Sequence, residues 1–166
     1  MLVGSFASNV YGVGRATQDV DFLVAATSDQ IQVFLNLLPP NDYYFDSQDA
    51  IQALKHSSMF NLLDLKLGFK IDIIFRKPTA FNQEEFRRRT EADVEGVRVF
   101  VATKEDVVLS KLEWAKLGES SRQIEDVAGI LKVQGASLDR VYVEKWVKEM
   151  GLSSEWARAL QSAGLD

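Results

Sequence analysis

The chain has 166 residues, enough for one domain with a substantial apolar interior, and its 46% hydrophobic and 26% charged residues are ordinary for a globular protein. A formal charge of −5 argues against non-specific coating of nucleic acid, and no apolar run approaches the ~20 residues of a membrane span. With no cysteine and one histidine, disulfides, thiolate metal sites, a histidine-rich zinc centre and a serine–histidine–aspartate triad are all disfavoured, so any metal chemistry rests on carboxylates and hence on magnesium or manganese.

The N-terminal stretch MLVGSFASN has no basic start or cleavage region of a secretory signal, and with the missing cysteines this points to the cytoplasm. LVGSF is expected to begin a core strand with only three residues before Gly4, which would leave one sheet edge exposed and make a homodimer plausible. GVGRATQDVDFLV follows, at residues 12–24. Gly12 and Gly14 are expected to permit unusual backbone angles, and Arg15 to brace the loop or touch a phosphate. Asp19 and Asp21 then open a strand. Residues i and i+2 of a strand share a face, so both carboxylates point the same way, and a positive group is expected between them.

Thr27 and Gln30 form a capping-box pattern for a helix through Leu38, with Ile31, Phe34, Leu35 and Leu38 as its stripe and Pro39-Pro40 as its stop. A second helix is expected near 47–55, with His56 at its surface end. Residues 59–75 read as two strands joined by a turn near Leu67-Gly68. The second, Phe69 to Phe75, places Lys70 and Asp72 on one face and Ile71 and Ile73 on the other. Arg87, Arg88 and Arg89 read as a solvated helix face, and VRVFVAT at 97–103 as the strand that closes the sheet.

From Thr103 onward the pattern is helical. Thr103 with Asp106 caps a helix to Leu117, stopped by Gly118; Ser120 or Ser121 starts another that ends near Gly135. Ser137 starts a third, carrying Leu138, Val141, Tyr142, Trp146 and Met150, and a last short helix holds Trp156 and Leu160. Trp114, Trp146 and Trp156 fall on apolar stripes and are expected in the core. Lys111 lies beside Val107, Val108, Trp114 and Ala115, so it needs an anionic partner: Asp126 or a phosphate. Arg122 and Asp126, four apart, can also form an ordinary helical ion pair. This divides the chain into a core at 1–102 and a helical region at 103–166 packed on it as one compact unit.

If the strands holding Asp19, Asp21 and Asp72 are neighbours, three carboxylates converge and need cations. Two divalent ions bridged by aspartates are the usual solution and suit in-line attack at phosphorus. Gly4-Ser5 adds a tight turn whose N–H groups and hydroxyl suit phosphate oxygens.

These residues resemble a known family. GSFASNVYGVGRATQDVDFLV is similar to the first motif of the nucleotidyltransferase superfamily with the polymerase-β-like fold, in which Gly-Ser is followed by a loop and Asp-x-Asp. KID at 70–72 resembles its second motif, and Lys111 with Arg122-Gln123-Ile124-Glu125-Asp126 resembles the helical motifs of its AbiEii-toxin-like branch. The match spans about residues 3–131, and departs from the family in lacking the helix that relatives carry before Gly4 and in the 13 residues, 6 to 18, between Ser5 and Asp19.

The resemblance implies an α/β (α+β) fold, a mixed-sheet core flanked by helices with a helical C-terminal region. It implies Asp19, Asp21 and Asp72 as catalytic metal ligands for Mg2+ or Mn2+, and Gly4, Ser5, Lys70, Lys111, Asp126 and Arg122 at the nucleotide. The implied reaction moves a nucleoside monophosphate from a nucleoside triphosphate to a hydroxyl of RNA, protein or a small molecule. The branch further implies a toxin–antitoxin component with a cognate antitoxin as partner. The alternative is a catalytically weak nucleotide- or partner-binding module of the same fold.

Overall fold

The computed structural model describes residues 1–14, 16–94 and 96–165; Arg15, read above as a loop brace or phosphate contact, lies outside them. The chain divides into two compact units, Met1–Val3 with Thr17–Val101 and Gly4–Ala16 with Ala102–Asp166. Residues 4–16 thus group with the residues after 101. Residues 4–16 carry a helix, α1 (Gly4–Tyr11), that packs against two later helices and so belongs to the second unit.

Among the described residues the first unit is built on seven strands: β1 (Leu2–Val3), β2 (Asp19–Val24), β3 (Tyr43–Tyr44), β4 (Met59–Asp64), β5 (Lys70–Phe75), β6 (Thr90–Val94) and β7 (Val97–Val101). They form one mixed sheet in the order β3-β4-β5-β2-β1-β7-β6, with β2 parallel to β5 and β1 parallel to β7. The first strand lies inside the sheet, between β2 and β7, as a core strand should. One expectation is corrected here: β7 does not close the sheet but is flanked by β1 and β6, and the edges are β3 and β6. Neither edge strand was legible, because two residues at β3 are too few for a period and TEADV at β6 sets only Ala92 and Val94 against its charged face, too short an apolar alternation to stand out.

Three helices belong to this unit: α2 (Ser28–Leu37), α3 (Ser47–His56) and α4 (Ala80–Arg88). The α2 start matches the reading from sequence: the Thr27 hydroxyl accepts from the Gln30 N–H, and the Gln30 amide oxygen accepts from the Thr27 N–H. Asp46 caps α3 by accepting from the N–H groups of Gln48 and Asp49. Helices α2 and α3 cover one sheet face, burying Ile31, Leu35, Ala50 and Ala53 against Phe60, Leu62, Ile73 and Phe75. Each such large side chain contributes about 1.5–3 kcal/mol on burial, which pins the register of β4 and β5, since a one-residue slip would turn the whole set outward. At the end of α4, Arg87 pairs with Glu84 and the Arg89 guanidinium lies over the Phe86 and Phe100 rings, so the arginine run is more than a solvated face.

The second unit adds α5 (Lys104–Gly118), α6 (Ser121–Gln134), α7 (Arg140–Glu149) and α8 (Ser153–Ala163) to α1, making eight helices among the described residues. Its interior holds Val108, Leu109, Leu112, Val127, Ile130 and Val143. Several boundaries differ from the sequence reading. The left-handed stop after α5 is Glu119, not Gly118, and α7 is capped by Asp139, whose carboxylate accepts from the Tyr142 N–H, rather than by Ser137. Val141 and Trp114 are exposed, at 82% and 48%, so neither joins its expected stripe. Trp146 and Trp156 are buried as expected. No helix among the described residues is long and apolar enough to cross a membrane.

Candidate active site

The parallel pairing of β2 with β5 sets Asp21 opposite Asp72 and Asp19 opposite Lys70. On the other side of β5, antiparallel β4 sets Asn61 opposite Asp72. Side chains alternate along each strand, so Asp19, Asp21, Lys70, Asp72 and Asn61 share the face opposite the helix-covered one. Three acidic groups within two adjacent strands would repel one another by about 4 kcal/mol per pair at 4 Å and an effective dielectric near 20.

The positive group expected between the aspartates is Lys70. Its Nζ stands 3.0 Å from Asp72 Oδ2 and 3.9 Å from Asp19 Oδ1. Its pKa is raised above the ordinary lysine value, first by the hydrogen bond to Asp72, against the opposing effect of burial, and further by the charges of Asp72, Asp19 and Asp21. The other Asp72 oxygen, Oδ1, accepts from Asn61 Nδ2 at 2.7 Å. Asp72 is therefore gripped on both oxygens, and its side chain is 7% exposed. Because a carboxylate can only accept, the Asn61 amide must present its NH2 to it. Nothing in FNLLD marks Asn61 as special. Only the register of β4 against β5 brings it to Asp72.

Hard oxygen donors in this register suit a magnesium or manganese ion in chemistry, yet the side chains as they stand do not close into a cage. No group of three or more His, Cys, Asp or Glu among the described residues is arranged to hold a metal. Lys70 supplies the neutralising charge in that place.

Beside this face lies a cleft of about 600 Å³ along β4, lined among others by Tyr44, Asp49, His56, Met59, Asn61 and Lys70. It was not foreseen, because it forms where the two-residue β3 covers only the Leu63–Asp64 end of β4 and leaves the rest of that edge uncovered. His56 ends α3 at the surface, as expected, and lines the cleft.

The remaining expected nucleotide residues lie in the second unit. Gly4, with φ +62°, turns the chain from β1 into α1, so Gly-Ser opens a helix directly where a longer loop was expected. Gly12 and Gly14 have no left-handed φ, contrary to expectation. Gly12 is required instead by close packing, since an added Cβ would lie 3.1 Å from Ile130 Cγ1 and from the Ile130 nitrogen. Lys111 and Asp126 are bonded to each other across α5 and α6, Nζ to Oδ2 at 2.7 Å, with Gln123 Oε1 accepting from the same ammonium at 3.1 Å. Both side chains are at least nine-tenths buried. Asp126 thus answers the lysine's need for an anion, while Arg122, one turn away on α6, is exposed.

No family model matches the sequence, and no curated protein matches it. Among solved structures the chain is similar to an antigenic nucleotidyltransferase-like protein from Paracoccidioides brasiliensis, with a TM-score of 0.50 and 15% identity over 97% of this chain and 83% of that one. At this identity the likeness is one of fold: a mixed α/β, nucleotidyltransferase-like arrangement.

Proposed function

We propose that the chain is a nucleotidyltransferase dependent on Mg2+ or Mn2+, moving a nucleoside monophosphate from a nucleoside triphosphate to an acceptor hydroxyl. The observation that carries this reading is the pairing of Asp21 with Asp72, with Asp19 on the same face and both strands backed by a packed core. The nucleotidyltransferase-like fold supports it. Asp19, Asp21 and Asp72 would hold the cation, which supplies charge neutralisation at the phosphates when bound. In the transfer, the acceptor oxygen bonds to the α-phosphorus, the bond to the bridging α–β oxygen breaks, and pyrophosphate leaves. The Asp72 carboxylate, which accepts from Asn61, would join the cation that activates the acceptor and help remove its proton.

Gly4, Ser5, Lys111, Asp126 and Arg122 are proposed as nucleotide-contacting residues on the family resemblance. For Lys111 and Asp126 the buried pair also has a purely structural use, so nucleotide titration of Ser5→Ala and Lys111→Arg bears on that assignment. The finer reading, an AbiEii-like toxin of the cytoplasm acting on RNA beside a cognate antitoxin, is a proposal resting on Lys111 and the Arg122 to Asp126 motif.

The test is incubation of the purified protein with each labelled triphosphate, magnesium, and total RNA or a cell lysate. Label should move to RNA, protein or a small molecule, and Asp72→Asn should abolish it. Absence of transfer to every fraction would defeat the enzyme reading. A second reading, a nucleotide- or partner-binding module with little catalysis, is favoured by one observation: Lys70 already neutralises the carboxylates. Calorimetry with a non-hydrolysable triphosphate separates them, since binding without transfer supports the module.

A further inference from the structure

We propose that the uncovered edge of β4 is a docking groove for an extended, basic peptide segment of a partner protein, received as an added strand beside α3. The ladder with β5 fixes which backbone groups point outward. The Phe75 N–H donates to the Ser58 carbonyl at 2.8 Å and the Asp64 N–H to the Phe69 carbonyl at 2.9 Å, so the even-numbered residues of β4 bond inward to β5. Met59, Asn61 and Leu63 therefore turn their N–H and C=O groups the other way. Leu63 is met there by Tyr44 of β3. Beyond that point β3 ends, and no strand among the described residues pairs with Met59 or Asn61 on that side. Two outward donor–acceptor pairs about 6.8 Å apart make a repeat that another extended backbone matches.

The edge is also undefended. Exposed edges are commonly guarded by charge, proline or a bulge, and β6 carries Glu91 and Asp93. Residues 59–63, MFNLL, have no charge and no proline, and their pairing with β5 is continuous. Beside them lies a groove rather than a flat surface. The cleft of about 600 Å³ is bounded by β4 and by one stripe of α3, Asp49, Gln52, Ala53 and His56. Ala53, small and 4% exposed, keeps its floor low.

The two walls select alternate side chains of the occupant. On the face that carries Asn61, Met59 and Leu63 are each 39% exposed and Tyr44 is 69% exposed, which favours an apolar side chain at every second position. On the α3 side, Asp46 and Asp49 set two carboxylates at the start of the helix, which favours lysine or arginine in between. Lys70, the lysine of the lining, is engaged by Asp72 and does not cancel them.

The test uses the full chain and two blocked, fluorescent hexapeptides, one alternating valine with lysine and the other valine with glutamate. Anisotropy should show the lysine peptide binding at least about 10-fold more tightly, and Asp49→Lys should remove most of that preference. Amide hydrogen exchange should slow at Met59 and Asn61 when the lysine peptide is bound. Two methylated versions test the strand pairing itself, one carrying N-methyl groups on its valine nitrogens and one on its lysine nitrogens. Only one of these sets can face β4, so one version should lose binding by about 10-fold and the other keep it.

Equal binding of the lysine and glutamate peptides overturns the proposal, as does an unchanged preference in Asp49→Lys. So does equal loss in both methylated versions, loss in neither, or unchanged exchange at Met59 and Asn61. Protection of those two amides without peptide, together with a dimer in sedimentation, would assign the groove to a second copy of the chain and overturn it as well.

Discussion

Asp21 and Asp72 are directly opposed on the parallel strands β2 and β5, a pairing of like charges that a sheet accepts only with a cation beside it. Lys70, two residues before Asp72 and opposite Asp19, is that cation in the folded chain. Acidic chemistry and its neutralisation are thus encoded in the same six-residue strand.

Asp72→Asn keeps the shape of the side chain and still offers an oxygen to Lys70 or Asn61, so thermal melting should shift by only a few degrees. Nucleotidyl transfer should fall about 100-fold or more, the range expected when a positioned acid–base group is lost. Label transfer and a melting curve on the same preparation check both halves.

Lys111 and Asp126 are buried partners, and removing either leaves the other's charge without its counterpart. Lys111→Ala or Asp126→Ala should cost about 3–5 kcal/mol, whereas Lys111→Met combined with Asp126→Leu should cost far less. Denaturant titration of the two single variants and the double variant reads the difference directly.

Gly12 and Gly14 differ in what surrounds them. Gly12→Ala brings a Cβ to 3.1 Å from Ile130 and 3.2 Å from the Ser8 carbonyl oxygen, and should cost about 1–3 kcal/mol. Around Gly14 an added Cβ meets nothing within 4 Å and φ is not left-handed, so Gly14→Ala should be neutral or stabilise by about 0.4–1 kcal/mol. Paired melting curves test the contrast.

The raised Lys70 pKa gives a direction to the alkaline limb of stability. A lysine that holds its proton more tightly when folded contributes fully below its ordinary value of 10.5, and that contribution is lost as pH rises through the higher folded value. Half-exposed and screened by water, Lys70 should contribute no more than about 1 kcal/mol. Lys70→Met should therefore lower stability at neutral pH slightly and flatten its decline above pH 10.5, as followed by denaturation at stepped pH. Some slope should persist, because Lys66, bonded to Asp42, is shifted in the same direction.

The local signals were legible wherever one element decides its own form. The capping box at Thr27, the proline stop after it, the hairpin at Gly68, and the alternation that separates Lys70 and Asp72 from Ile71 and Ile73 all follow from neighbours within a few residues. Helix α1 was not legible: Gly4–Tyr11 is short, has no acidic residue in its first turn, and packs against α5 and α6, more than 90 residues away. Its stability comes from that packing rather than from propensity.

By itself the sequence determined which side chains carry charge on which face of each strand, because alternation is a property of the local backbone. Only the tertiary structure decided which strands are neighbours: that β2 lies beside β5 in register, that Asn61 faces Asp72, and that β1 runs through the middle of the sheet. Strand pairing is settled by apolar burial between segments tens of residues apart, and no short stretch of sequence contains that information.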